Sequence, residues 1–155
     1  MGYRSDVRII TSKKGYDELK KFNDEYLDKN KNINGFKEYS LLDNLTFKAE
    51  TDNSVYIGWE WVKWYEGYNS VDAIMEGLNH LENNNYSYRY ARIGENISDI
   101  EEYTFNGTLE GEKDIHYLEI SRGFDDSNVF EKMNNEIDKK SKQVDSKSKK
   151  DNLER

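Results

Sequence analysis

The sequence of 155 residues contains no cysteine and no proline. The lack of cysteine excludes disulfide bonds, thiolate nucleophiles and cysteine-ligated zinc. Only two histidines are present, His80 and His116, and their separation in the sequence matches no metal-ligand motif. The sequence therefore predicts no metal site and no cofactor.

Long hydrophobic runs are also missing, since hydrophobic residues make up 35% of the chain and occur only a few at a time. A membrane-spanning helix needs about 20 consecutive apolar residues, so we expect no membrane partner. No apolar stretch follows the first residues, which predicts that the chain has no signal peptide and is cytoplasmic. Aromatic residues nevertheless reach 14%, which is typical of a folded core rather than of a disordered chain.

The net charge is −8, and it is unevenly distributed. Residues 137–155 contain seven basic and four acidic side chains, a charge of +3, so residues 1–136 carry −11. We therefore expect a single acidic domain over residues 1–136, followed by a flexible, mildly basic tail over residues 137–155. A body with this charge repels phosphates, which argues against direct binding to nucleic acid.

The hydrophobic pattern changes between strand and helix periodicity along the chain. Five segments are typical of strands: 6–12, 39–50, 55–65, 86–93 and 115–121. Three segments have helical spacing: 14–29, 71–81 and 130–137. Ser98 and Glu101 fit a capping box, which predicts a further short helical turn. The order predicts an α+β fold, a split βαβ (ferredoxin-like) antiparallel sheet with two helices on one face, plus an extra strand and a C-terminal helix.

Three segments of the sequence carry a resemblance to a known family. They are 1–7 (Met-Gly-Tyr-Arg-Ser-Asp-Val), 61–65 (Trp-Val-Lys-Trp-Tyr), and 92–95 (Arg-Ile-Gly-Glu) leading to 99–102 (Asp-Ile-Glu-Glu). In this order they resemble a family of small proteins encoded by phages and prophages of Gram-positive bacteria, which has no assigned chemistry. The resemblance implies a viral accessory protein, and small acidic phage proteins of this kind often inhibit host machinery or bacterial immune proteins.

Aromatic residues on the predicted sheet are candidate contacts for a protein partner. Strand alternation places Trp59 and Trp61 on one face of the third strand, which a helix-covered sheet would bury, and Trp64 on the other face. Tyr88 and Tyr90 share one face of the fourth strand. If that face is uncovered, Trp64, Tyr88 and Tyr90 form an aromatic binding surface. A tyrosine ladder that only stabilises an exposed sheet is the structural alternative.

Acidic residues form a second candidate surface. Glu95, Asp99, Glu101 and Glu102 lie within eight residues of one another. A field of carboxylates can compete with nucleic acid for a basic groove, by electrostatic complementarity and steering. A solvated loop that keeps the protein soluble has the same composition, so the cluster by itself leaves both interpretations open.

Arginines offer an alternative site of opposite sign. Arg4 can hold a phosphate or carboxylate in bidentate fashion, or it can anchor the start of the chain. With Arg92 and Trp64 it would form a site for a small anionic ligand such as a nucleotide signal.

No catalytic motif is present, neither a nucleophile elbow nor a phosphate-binding loop nor a zinc-hydrolase pattern. The sequence therefore predicts a non-enzymatic protein without catalytic residues, which acts by stoichiometric binding. The leading hypothesis is a phage-encoded inhibitor of a bacterial host or anti-phage defence protein that uses the acidic and aromatic surface. The alternatives are a binder that sequesters an anionic nucleotide-like signal, and a virion or housekeeping component. The target and the oligomeric state stay open.

Overall fold

The computed structural model describes residues 2–31, 33–108, 118–121 and 123–144. The chain divides into two units, Met1–Ile115 and His116–Arg155. The boundary after residue 136 that the charge distribution predicts falls inside a helix, because a change in charge composition does not by itself end a helix. Residues 145–155 of the predicted tail lie outside the described residues.

The first unit has five strands and two long helices. In chain order they are β1 (Ser5–Ser12), α1 (Lys13–Lys29), a 3-10 turn (Leu41–Asp43), β2 (Phe47–Glu50), β3 (Ser54–Val62), α2 (Asn69–Asn83), β4 (Tyr88–Gly94) and β5 (Ile100–Phe105). The strands form one sheet in the order β2-β3-β1-β4-β5, and all neighbouring pairs are antiparallel. This is the predicted α+β fold: β1 to β4 make the split βαβ arrangement, and β5 extends it at one edge.

The second unit is smaller. β6 (Glu119–Ile120) pairs with β7 (Phe124–Asp125), and α3 (Ser127–Val144) follows. The carboxylate of Asp125 accepts hydrogen bonds from the backbone N–H and the hydroxyl of Ser127, at 3.3 and 2.6 Å, where α3 begins.

The hydrophobic core of the first unit lies between one face of the sheet and the two helices. Both helices are amphipathic, and Leu19 of α1 and Ile74 of α2 are fully buried. Ile9 and Ile57 meet them from the sheet. Trp59 completes this face, and its indole N–H donates to the carbonyl of Leu41 at 2.9 Å. Burial of these large side chains supplies most of the driving force for the fold.

Four predicted elements differ from the structure. Only Phe47–Glu50 of the predicted strand 39–50 is a strand, because Leu41 and Leu42 turn into the core instead. The predicted helical turn at Ser98 and Glu101 is wrong: β5 begins at Ile100. Of the predicted strand 115–121, residues 115–117 lie outside the described residues and β6 is a two-residue strand. The last helix is longer than predicted.

Candidate functional site

Three segments that the sequence analysis singles out, 1–7, 61–65 and 92–102, meet in space around the start of the chain. The hydroxyl of Tyr3 donates to Asp99 at 2.6 Å and accepts the backbone N–H of Asn96 at 2.9 Å. The backbone N–H of Tyr3 donates to the hydroxyl of Tyr65 at 2.6 Å. We call this set of contacts the N-terminal clasp. It attaches the first residues to the segment that follows β3 and to the β4–β5 connection. Gly94 lies inside the clasp, where an added Cβ atom would overlap the Asp99 carboxylate and the Tyr3 hydroxyl.

Arg92 forms the ionic part of the clasp. Its guanidinium donates to the two carboxylate oxygens of Asp99 at 2.6 and 3.1 Å, and to Glu101 at 2.9 Å. A fourth bond of 2.9 Å goes to the hydroxyl of Ser5. The hydrogen bond from Arg92, followed by that from Tyr3, holds the pKa of Asp99 below its ordinary value. Desolvation opposes the charge of Arg92, but its bonds to both carboxylates outweigh that effect and raise its pKa.

Arg4 is engaged with the backbone of β3 rather than with a ligand position. Its guanidinium donates to the carbonyl of Trp61 at 3.2 Å, and its backbone N–H donates to Glu95 at 2.6 Å. The carboxylate of Asp6 accepts the backbone N–H of Trp61 at 2.9 Å. Arg4 and Asp6 therefore hold both polar backbone groups of Trp61 in place, as the anchoring interpretation of the opening motif expects.

The two tryptophans at the end of β3 exchange the roles that strand alternation predicts. Trp61 has a φ of 56°, in the left-handed region, and its side chain is 63% exposed. Trp64 packs on Trp59 with ring centroids 5.2 Å apart, at the border of the core. The cause is an irregularity in the pairing of β1 with β3 between Ser5 and Val7, which ends the regular alternation.

Tyr88 and Tyr90 do not form an exposed aromatic face, so the condition for that predicted surface is not met. Both rings are buried on the helix-covered face of the sheet. Their hydroxyls still reach carboxylates: Tyr88 donates to Glu82 and Tyr90 to Glu101, each at 3.2 Å. Burial first, and then the neighbouring carboxylate, raises the pKa of both tyrosines, so both hydroxyls stay protonated donors.

A cleft opens between α2 and the β4–β5 edge of the sheet. It consists of two adjoining cavities of about 690 and 620 Å³ that share Met75, Asn79, Tyr90 and Glu101. We call it the acidic cleft. Its carboxylates are Glu66, Asp72, Glu76, Glu82, Asp99, Glu101 and Glu102, and its rings are Tyr3, Trp64, Tyr65, Tyr88, Tyr90 and Tyr103. Arg92 is the one cationic residue among those lining it.

The acidic cleft gathers most of the predicted site residues, but not all. Asp99, Glu101 and Glu102 line it, whereas Glu95 lies at the clasp and binds Arg4. Of the predicted anionic-ligand site, Arg92 and Trp64 line the cleft and Arg4 does not.

The sequence did not predict that acidic residues of α2 line the cleft. Asp72, Glu76 and Glu82 lie on the helix face that does not pack into the core. A signal was present, because their spacing places them near one another on one side of a helix. What the sequence does not indicate is that this face lies opposite β5.

The fixed acceptors in the cleft define what it can bind. Tyr103 donates to Glu82 at 3.0 Å, so Glu82 accepts from two tyrosines, and Arg89 donates to Glu102 at 3.3 Å. Glu66 and Glu76 are exposed at the rim. The lining formally carries seven negative charges against one positive charge, so a cationic group is the ligand that it favours.

Comparison with known proteins does not extend these observations: no family model, no curated protein and no solved structure matches the chain. Within the described residues, no three His, Cys, Asp or Glu side chains are grouped so that they could hold a metal ion. The described helices likewise include none that is both long enough and apolar enough to cross a membrane.

Proposed function

We propose that this protein is a stoichiometric inhibitor that binds a basic segment of a bacterial host or anti-phage defence protein in its acidic cleft. The cytoplasm of the bacterial host is the compartment in which it would act. The observation that carries the proposal is the lining of the cleft, in which carboxylates outnumber the single guanidinium by seven to one.

Electrostatics supports this choice of partner. A concave surface lined by charges of one sign concentrates the field, which raises the association rate of oppositely charged groups. Several acceptors are already oriented, Asp99 by Arg92 and Tyr3, and Glu82 by two tyrosines. Preorganised acceptors lose little conformational entropy when a partner binds.

The aromatic residues of the cleft support the same partner. Trp64 and Tyr65 stand beside Glu66 at one end, and Tyr103 stands beside Glu82 at the other. A lysine or arginine side chain can lie against such a ring while its charge meets the neighbouring carboxylate.

A small anionic ligand, the alternative that the sequence left open, is less well supported. Arg92 already makes three hydrogen bonds to two carboxylates, and Arg4 binds a backbone carbonyl. A phosphate entering the cleft would have to displace these partners and would meet uncompensated negative charge.

The test is affinity capture from a lysate of a phage-susceptible Gram-positive host, followed by an activity assay of the captured protein. The cleft variant carries Glu66→Lys and Glu76→Lys, two exposed positions of the lining. The control carries Asp24→Lys and Glu25→Lys on the exposed side of α1, with the same change in net charge. We expect the wild type and the control to capture and inhibit one partner at a one-to-one ratio, and the cleft variant to lose both effects. Equal capture by both variants would contradict the proposal.

A further inference from the structure

The two edges of the sheet differ in how they are protected against pairing with another chain. β2 is four residues long and carries Lys48, a residue that commonly blocks edge-to-edge pairing. β5 is six residues long and contains neither lysine nor proline. Its register with β4 is regular from Ile93 opposite Ile100 to Tyr88 opposite Phe105. Among the strands that the structure describes, none pairs with the outer side of β5.

β5 also exposes two large apolar side chains, one on each face of the sheet. Ile100 and Tyr103 are 41% and 47% exposed, and only the last residue of the strand, Phe105, is partly buried. An added strand would cover Ile100 and Tyr103 and form cross-strand pairs with them.

Charges alternate in sign from β4 to β5. Arg92 of β4 lies directly opposite Glu101 of β5 and binds it, and Arg89 of β4 binds Glu102 diagonally. Successive residues of a strand point to opposite faces, so each face of this edge ends in a carboxylate. A third strand with lysine or arginine opposite Glu101 and Glu102 would continue the alternation on both faces.

We propose that the partner segment is an extended basic strand that pairs with the outer edge of β5. This inference rests on the proposed function, and it specifies the conformation and charge pattern of the partner. The backbone of the added strand pairs with β5, while every second side chain extends over the acidic cleft towards Glu82 and Glu76. A helix is a poorer occupant, since helices dock through an apolar stripe into an apolar groove, and this cleft is lined largely by carboxylates.

The test uses synthetic peptides as probes of the full-length protein. The first peptide is capped, has eight residues and alternates lysine with threonine. Two further peptides have the same sequence but carry backbone N-methyl groups at either the odd or the even positions. Each of them therefore loses the backbone N–H donors along one edge of the extended peptide only. A helical peptide of equal charge serves as the conformational control. Affinities are measured by isothermal titration calorimetry, and backbone protection by hydrogen exchange.

Strand addition predicts a specific asymmetry between the probes. One N-methyl isomer binds like the parent peptide, and the other binds at least about tenfold more weakly, because it cannot donate to β5. Bound parent peptide slows the exchange of amides in residues 100–105. Glu76→Lys weakens the parent peptide roughly fivefold, while Glu25→Lys on α1 leaves its affinity unchanged.

The possible outcomes distinguish failure of strand addition at β5 from failure of the proposed binding of a basic segment in the acidic cleft. Equal affinity of the two N-methyl isomers, or tighter binding of the helical peptide, overturns strand addition but leaves the cleft as a basic-segment site. Protection in the free protein of those amides of residues 100–105 that point away from β4 also overturns strand addition. Failure of every basic peptide to bind, helical or extended, contradicts the proposed function as well.

Discussion

At the scale of single residues, Arg92 and Asp99 determine the local chemistry of the clasp. Their ion pair has two hydrogen bonds, of 2.6 and 3.1 Å, and the Arg92 side chain is largely withdrawn from solvent. The same pair removes Arg92 from the anion-binding role that the sequence left open. One interaction therefore holds the start of the chain and also neutralises the single guanidinium that lines the cleft.

Asp99→Asn tests this pair through the pH dependence of stability. We expect a loss of about 2 kcal/mol at neutral pH, because the charged partner of Arg92 is removed. The folded-state pKa of Asp99 lies below its ordinary value of 3.8, so the carboxylate stabilises the fold above that pH and loses the effect as pH falls through the folded pKa. The difference between wild type and variant, measured by urea unfolding, should therefore shrink below about pH 4.

The exposed carboxylate of Asp24 on α1 provides the control, and Asp24→Asn should change stability little at either pH. A difference for Asp99→Asn that persists undiminished at the lowest pH would contradict the assigned role of its charge.

At the scale of elements, the end of β3 shows how tertiary contacts override a local pattern. Strict alternation would bury Trp61, yet the chain takes a left-handed residue at that position and brings Trp64 to the core border instead. Arg4 and Asp6 bind the carbonyl and the N–H of Trp61 and so compensate the unfavourable backbone conformation.

Trp61→Gly should therefore raise stability, by about 1 kcal/mol, because glycine adopts a positive φ without strain and the exposed ring contributes little packing. Thermal unfolding measures the effect. Asn85, with a φ of 64°, is the matched control. Asparagine tolerates the left-handed region, so Asn85→Gly should gain less. A lower melting temperature for Trp61→Gly would show that its ring packs more than its exposure indicates.

At the scale of the whole molecule, the acidic side chains are unevenly distributed and concentrate in the acidic cleft. The chain carries 31 acidic and 23 basic residues, but the cleft concentrates seven carboxylates around a single arginine. Exposed charges are screened beyond about 8 Å at physiological salt, so the local field of the cleft, not the net charge, dominates at contact distance.

Salt dependence distinguishes these two effects. We expect the association rate of the lysine–threonine peptide to fall roughly tenfold between about 50 and 500 mM salt, because screening removes electrostatic steering. Stopped-flow tryptophan fluorescence measures the rate. The Glu66→Lys, Glu76→Lys variant should lose most of this dependence, while the Asp24→Lys, Glu25→Lys variant, with the same net charge, should keep it. Equal slopes for the two variants would assign steering to net charge.

The sequence by itself determined the element order from β1 to β4, the sheet class and the acidic character of the protein. These follow from periodicity and composition: the helical spacing of Val71, Ile74 and Leu78 and the alternation of Ile57 and Trp59 require no knowledge of distant partners. It also identified Asp99, Glu101 and Glu102 as a group, since they are neighbours along the chain.

Only the tertiary structure decided which side chains face the cleft. The sequence did not predict β5, because residues 98–101 fit a helix-capping pattern. In the structure, pairing with β4 and the bonds to Asp99 outweigh that local preference. The wall of α2 meets β5 across the sheet, although Glu82 and Tyr103 are 21 positions apart. Tyr88 and Tyr90 are buried because both helices pack on their side of the sheet. Contacts between residues far apart in sequence determine each of these features, and local sequence patterns do not predict such contacts.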